Sequence, residues 1–236
     1  MNSKQPFKWK HFQGEIILLC VRWYLRYALS YRNLEEIMME RGLSVDLTTI
    51  YRWVMAYAPE LETRSRNYLK LTNDSWRVDE TYIKVKGKWK YLYRAVDSNG
   101  KTLDFMLSAS RDHQAAKRFL KKVLKARHNQ QPRVINVDKN AAYPIAFEEL
   151  KQEGLLSKEC ELRQKKYLNN IIEQDHRFPK KLAKYKSYFQ YFHTAWRTLK
   201  GYEIMNAIRK GQIENIVKGD VLGQRDFIHN LFGIAV

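Results

Sequence analysis

Cysteine is nearly absent from this chain. The two present in 236 residues, Cys20 and Cys160, lie far apart. That spacing excludes a disulfide framework and a cysteine-based zinc site, and it fits a reducing, intracellular compartment. Cys20 falls in an apolar helical segment and is expected in the core. Long hydrophobic runs are missing too. The most apolar stretch, Ile16 to Val21, spans six residues before Arg22, far short of the ~20 needed to cross a bilayer. The opening MNSKQPFKWKHFQGE has no long apolar region behind it, so a signal peptide is not expected. Acidic residues are in deficit: 25 Asp and Glu stand against 43 Lys and Arg, a net charge of +18. The excess is spread along the chain and points to a polyanionic partner. Nucleic acid is a simpler choice than a membrane surface, since nothing supports insertion. Ser, Cys and His form no nucleophilic triad motif. His11, His113, His128, His193 and His229 have no metal-ligand spacing. Gly87, Gly100 and Gly154 read as turns rather than a phosphate loop, so no nucleotide cofactor is expected. Coiled-coil heptads are absent.

What the chain does contain divides into a helical first part and a strand-rich second part. Residues 1–13 are basic and aromatic, either an arm on DNA or a strand-like lead-in. Glu15 to Leu29 has apolar residues at helical spacing. Ser30 then precedes YRNLEEIMMERG, a helix stopped at Gly42. Asp46 caps LTTIYRWVMAYAPE, a helix expected to end near Pro59. Two helices joined through a glycine-containing turn read as a helix-turn-helix, with an ordinary three-helix packing unit as the alternative. In the DNA-binding version the start of the second helix faces base edges. Those residues are Thr48, Thr49, Tyr51 and Arg52, with Ile50, Trp53 and Val54 in the core. The expected organisation is a helix-turn-helix domain over 1–60, a basic linker over 61–74, a catalytic domain over 75–212 and a tail over 213–236.

From Trp76 the pattern changes. RVDETYIKVKG, WKYLYRAVD and TLDFMLSAS read as three strands, with turns at Lys86-Gly87-Lys88 and SNGK. An amphipathic helix, HQAAKRFLKKVLKAR, leads to PRVINVD, a buried strand. YPIAFEELKQEG reads as a helix, CELRQKKYL as a fifth strand, and NNIIEQDHR as the start of the next helix. An antiparallel meander followed by parallel pairing makes the fold class mixed α/β (α+β). The expected architecture is a ribonuclease-H-like domain with a mixed five-stranded sheet, preceded by an all-α domain. Lys180 to Lys210 is basic and aromatic (Tyr185, Tyr188, Phe189, Tyr191, Phe192, Trp196). Such residues can stack on unpaired bases, although a packed helix accounts for most of them. The apolar VLGQRDFIHNLFGIAV is expected to dock on the body or on a second subunit.

Three acids carry the chemistry. Asp79 sits in the first strand, Asp138 closes the apolar run Val134 to Val137, and Glu173 follows Asp138 by 35 positions at a helix start. A lone strand-end Asp is ordinarily a turn residue; the joint pattern is what points to a site. Phosphodiester chemistry at neutral pH is served by two divalent ions roughly 3.5–4 Å apart. Mg²⁺ is usually held by a few carboxylates plus substrate phosphates. Helical spacing sets His176, Arg177 and Lys180 on the face of Glu173. Glu80 should point to the opposite face of its strand and stay out of the site. Asp175 should lie on a different helix face, and Asp97 should shape a turn.

These segments, DETYIKVKGKWKYLYRAVDSNGKTLDF, VDKNAAYP and above all KYLNNIIEQDHR, resemble the DDE transposases of bacterial insertion sequences. The likeness is to the small single-protein elements that form replicative cointegrates, and it runs from about Tyr24 to about Gly211. It implies that Asp79, Asp138 and Glu173 are the catalytic, metal-holding acids. The metal would be Mg²⁺ (two ions), with Mn²⁺ a substitute. His176, Arg177 and Lys180 would orient the scissile phosphate. Residues near 24–57 would bind double-stranded DNA at the terminal inverted repeats, and target DNA would be the second substrate. Pairing two ends implies a homodimer or larger assembly, in the bacterial cytoplasm at the nucleoid. A decayed element that only binds DNA and a hydrolysis-only nuclease are the alternatives. One departure is Pro179, which lacks a donor and crowds the carbonyl four residues back, so a bend is expected before Lys180.

Overall fold

Asp46 accepts a hydrogen bond from the Thr48 amide at 2.8 Å and so opens the helix around which the first compact unit is built. The computed structural model describes residues 6–185 and 189–235. Tyr188 and the first five residues of the expected arm lie outside the described residues. The chain falls into two units, one of Met1–Leu69 with Lys181–Val236, the other of Lys70–Lys180. The expected catalytic span of 75–212 therefore extends past the second unit. Its last helix packs with the N-terminal helices, burying its stretch from Gly201 to Ile208 against them.

In the first unit α1 spans Gly14–Arg26, α2 Tyr31–Glu40 and α3 Leu47–Ser65. A capping box between Ser30 and Asn33 starts α2. Gly42, at φ +74°, ends it where an L side chain would be strained. The Glu35 carboxylate accepts from the Leu47 amide at 3.0 Å and fixes the turn between the two helices. Ile50, Trp53 and Val54 are buried as expected, with Cys20 in the same core.

The expectation that α3 ends near Pro59 is corrected: it runs on to Ser65 and takes in the start of the supposed linker. A proline within a helix leaves the carbonyl four residues earlier without its donor. Here that carbonyl is Met55, and it accepts instead from Nε of Arg197 at 2.8 Å. The rest of the stretch is also ordered, with a 3-10 turn at Arg66–Tyr68 and a bridge from Leu69 to Ile213. Arg197 belongs to α8, Phe192–Arg209. Every residue of α8 from Gly201 to Ile208 is buried. A Cβ at Gly201 would lie 2.8 Å from the Ala58 Cβ and 2.5 Å from the Leu25 side chain, so glycine is what lets α8 approach α1 and α3. The described part of the basic lead-in forms no strand, and its rings pack on the helices. Phe7 packs on Tyr57 and Phe232, Phe12 on Trp53, and the Tyr57 hydroxyl donates to the Pro6 carbonyl. The last helix, α9 (Val221–Leu231), docks on α3 of its own chain, burying Ile228.

The second unit is a five-stranded sheet in the order β3-β2-β1-β4-β5. Its strands are β1 (Ser75–Val85), β2 (Lys88–Asp97), β3 (Thr102–Ser108), β4 (Val134–Val137) and β5 (Glu161–Gln164). The first three form an antiparallel meander, while β4 and β5 run parallel to β1. This is the ribonuclease-H-like arrangement expected. Lys86 and Gly87 both have positive φ, the requirement of a tight two-residue hairpin turn. Asp97 shapes the next turn by accepting from the amides of Asn99 and Lys101. Helices α4 (His113–Leu124) and α5 (Ala142–Gln152) cover one face. Trp76, Val78, Tyr93, Phe119, Ile135, Val137 and Phe147 are buried between. On the other face lies α6, Asn170–Asp175, followed after a turn at His176 by α7, Arg177–Tyr185. Pro179 stands in the first turn of α7, where no backbone donor is required. No described helix is long and apolar enough to cross a membrane.

If Arg197 replaces the donor that Pro59 lacks, Arg197→Met should cost ~1.5–3 kcal/mol, the scale of a hydrogen bond from a charged donor. In a Pro59→Ala background, where a backbone amide can serve Met55, the cost should shrink to a few tenths. Urea unfolding of the four proteins checks this; an equal cost in both backgrounds would sink the compensation.

Candidate active site

Parallel pairing of β1 with β4 runs Ser75 to Val134, Trp76 to Ile135 and Arg77 to Asn136. Two more residues along each strand lead to Asp79 and Asp138, so the register itself carries both acids to one place. Alternation along β1 sends Asp79 toward α6 and Glu80 toward α4 and α5. Nonetheless, one ligand oxygen each from Asp79, Glu80 and Asp138 lies within 4.8 Å of the others. Glu80 is thus closer to the site than its face of the strand suggested, which corrects that expectation. Its carboxylate is already satisfied by protein donors. Oε1 accepts from Arg111 Nε at 2.9 Å and Asn140 Nδ2 at 3.1 Å, and Oε2 from the Tyr143 hydroxyl at 2.6 Å. Glu80 therefore contributes charge and position rather than free ligand atoms.

Arg111 connects the acids. Its second guanidinium nitrogen reaches Asp138 Oδ2 at 3.2 Å while the first holds Glu80. Asp138 also accepts from the Asn140 amide with Oδ1 at 3.0 Å, which fixes its rotamer and starts the turn into α5. The crowding appears in the acid–base balance. Burial, then the charge of Glu80, with smaller contributions from Asp138 and Glu173, pushes the Asp79 carboxyl up to about 7. A cluster of hard oxygen donors that is short of positive charge fits a divalent cation.

Glu173 is exposed on α6 and lies outside the 4.8 Å group, although its charge is felt at Asp79. What holds α6 over the sheet is a buried ion pair. Arg94 of β2 is fully buried and donates to Asp175 Oδ2 at 2.7 Å. Arg94 is also the direct cross-strand neighbour of Asp79. One guanidinium therefore stands beside the first acid and grips the helix bearing the third. Breaking such a pair by removing one partner leaves an uncompensated buried charge.

The expected orienting trio separates. Arg177 and Lys180 are exposed, but His176 is buried, with Nδ1 3.7 Å from Asp79 Oδ2. Burial, then the positive charge of Arg94, holds its imidazole down at about 3, so it is neutral. At that length the contact is neither a hydrogen bond nor an ion pair. His176 keeps helical dihedrals, and its amide donates to the Ile172 carbonyl at 2.9 Å, so it lies on the buried edge of the face that carries the exposed Arg177 and Lys180.

In the first unit, Thr48, Tyr51 and Arg52 are exposed and Thr49 half-buried. The start of α3 thus presents these side chains to solvent while its core residues face α1 and α2. Sequence reading passed over Arg94, Arg111, Asn140 and Tyr143. Only Arg94 had an advance signal: counting back from a two-residue turn at 86–87 pairs it with Asp79.

Comparison with known proteins bears on this geometry. A DDE domain family matches residues 73–212. The chain is 42% identical over 204 residues to the transposase for insertion sequence-like element IS431mec of Staphylococcus aureus strain Mu50, covering 86% of this chain and 88% of that protein. The same figures hold for the transposase for insertion sequence element IS257 in transposon Tn4003 of Staphylococcus aureus. Among solved structures, the HTLV-2 integrase catalytic core domain in complex with magnesium (trimeric form) is 16% identical, with a TM-score of 0.45, covering 67% of this chain and 97% of that one. With a family match over more than half of the chain and such identity along nearly all of two relatives, the chain belongs to the DDE transposases of insertion sequences.

Proposed function

We propose that this transposase binds the terminal inverted repeats of its element through the start of α3, hydrolyses one strand at each end to expose a 3′-OH, and joins that hydroxyl to target DNA. The observation that carries the reading is the convergence of Asp79 and Asp138 at the end of a parallel strand pair. Asp79, Asp138 and Glu173 are the proposed holders of divalent metal, Mg²⁺ by default with Mn²⁺ as a substitute. When bound, two such ions supply an activated oxygen nucleophile and charge stabilisation on the leaving oxygen. The acids are not nucleophiles, so no covalent protein–DNA intermediate forms. Arg94 and Asp175 keep Glu173 over the strand ends. Arg111 and Glu80 hold Asp138. His176 orients Asp79 by packing beneath it, while the exposed Arg177 and Lys180 contact the phosphates that flank the scissile bond. Positioning and charge neutralisation do the chemical work.

Thr48, Thr49, Tyr51 and Arg52 are the proposed groove contacts, in keeping with the exposure of that helix start and with the net charge of +18. Duplex DNA at the element ends and at the target is the substrate. Bringing two ends together calls for at least two copies of the chain.

Two measurements test this reading. Asp138→Asn should abolish joining of labelled element ends to a target plasmid in Mg²⁺ while end binding by gel shift stays nearly intact. Joining at the normal rate would remove Asp138 from the ligand set. The second concerns stability. Asp79 titrates at about 7 in the fold but near ~3.9 when unfolded. The native state thus binds the extra proton between these values, and the stability linked to this group falls as pH rises through that window. Without metal, Asp79→Asn should melt higher than wild type at pH 8, each kcal/mol being worth ~2–4 °C in a chain of this length. The gain should vanish near pH 4. Mn²⁺ should raise the midpoint of the wild type and leave the variant unmoved; an equal response in both would exclude Asp79 as a ligand.

A further inference from the structure

The basic aromatic segment after residue 188 meets the beginning of α3 inside the first unit, and between them is a cavity of about 310 Å³. Its floor is buried and largely aromatic, formed by Tyr24 and Phe189 with Thr198. Tyr24 lies flat against Tyr31, centroids 4.2 Å apart and planes within 7°. Tyr51 meets Tyr31 edge-on at 5.6 Å. The mouth is open and mixed in character. Tyr51 and Tyr191 stand there, 38% and 60% exposed, with Gln190 and Thr194 on the rim.

We infer that this cavity receives an unpaired nucleobase of bound DNA. Flat aromatic walls suit any base face, and stacking of this kind tolerates sequence. The rim amide of Gln190 suits the hydrogen-bonding edge of a base, because a side-chain amide offers a donor and an acceptor together, and the Thr194 hydroxyl, which donates to the Tyr191 carbonyl at 3.0 Å, adds an acceptor. The volume is at the small end of ligand pockets, roughly 300–1,000 Å³, fitting one nucleoside rather than an extended ligand. Location selects DNA over other planar molecules. Tyr51 belongs both to the mouth and to the helix start proposed to face the duplex, so a base leaving the stack there has only a short path to travel. The inference rests on that proposed reading of α3. It also gives the aromatic segment a task that core packing does not explain, since Tyr191 remains mostly exposed in a region where Ala195 and Leu199 are buried.

The test uses the full-length protein and fluorescence anisotropy with three forms of an element end: a blunt duplex, the same duplex with one unpaired adenine, and the same with an abasic residue in its place. Wild type should bind the unpaired-adenine form about tenfold more tightly than the other two. Tyr191→Ala removes a rim ring, and Thr194→Trp fills the mouth. Each should bind all three forms alike, at the wild-type affinity for blunt duplex, with Tyr191→Ala keeping the wild-type melting temperature and Thr194→Trp still unfolding in one cooperative transition. Equal wild-type affinity for the adenine and abasic forms would overturn the pocket, since only backbone flexibility would then be sensed. So would a preference that survives in both variants. Arg52→Ala probes the underlying reading separately: it should weaken all three forms in parallel, and if it does not, the helix start is not the duplex contact.

Discussion

Carboxylates repel one another, and this protein gathers several in one half-buried place. Asp79, Glu80 and Asp138 sit within mutual ligand distance, with Glu173 close enough to be felt. The second unit is arranged around that repulsion. Arg111 bridges Glu80 and Asp138, and Arg94 lies across the strand pair from Asp79 while gripping Asp175. These guanidiniums offset part of the repulsion, but burial and then the charge of Glu80 still push the Asp79 carboxyl up to about 7. A site that lacks positive charge in this way is suited to gain it from a bound divalent cation.

The first unit solves a different problem, that of crowding helices around a long α3 interrupted by proline. The carbonyl that Pro59 strands is served by Arg197, and Gly201 removes the one side chain that would hold α8 away from α1 and α3. Both residues lie on α8, far along the chain from the helices they serve. The result is a rigid mount from which Thr48, Tyr51 and Arg52 project. A base pocket made from α3 and the aromatic segment would add contact at a DNA end, where unstacking costs least.

Much of the architecture was legible in the chain. Period-two runs bounded by glycine turns announced β1 to β3, and the mostly apolar VINV announced a strand buried on both faces. Asp46, Ser30 and Gly42 marked helix ends by their capping chemistry. The two strand acids were legible because a parallel pair must deliver equivalent ends together. The end of α3 was misjudged because proline was weighed by its local cost alone, and Arg197 relieves that cost from 138 residues away. The burial of His176 was not legible because i+3 spacing sets it beside Glu173 but does not say which edge of that face meets the sheet. Glu80 was set aside on alternation, which fixes the face of a side chain but not its reach.

The order of local elements, the excess of basic charge and the identity of the strand acids were determined by sequence alone, because each depends on periodicity, capping or composition within a short window. Tertiary structure decided which charges meet. Arg111 with Glu80 and Asp138, Arg94 with Asp175, and the neutral state of His176 all follow from burial and from contacts across long stretches of chain. Electrostatic energy depends on distance and local dielectric, and neither can be read from spacing along the polypeptide.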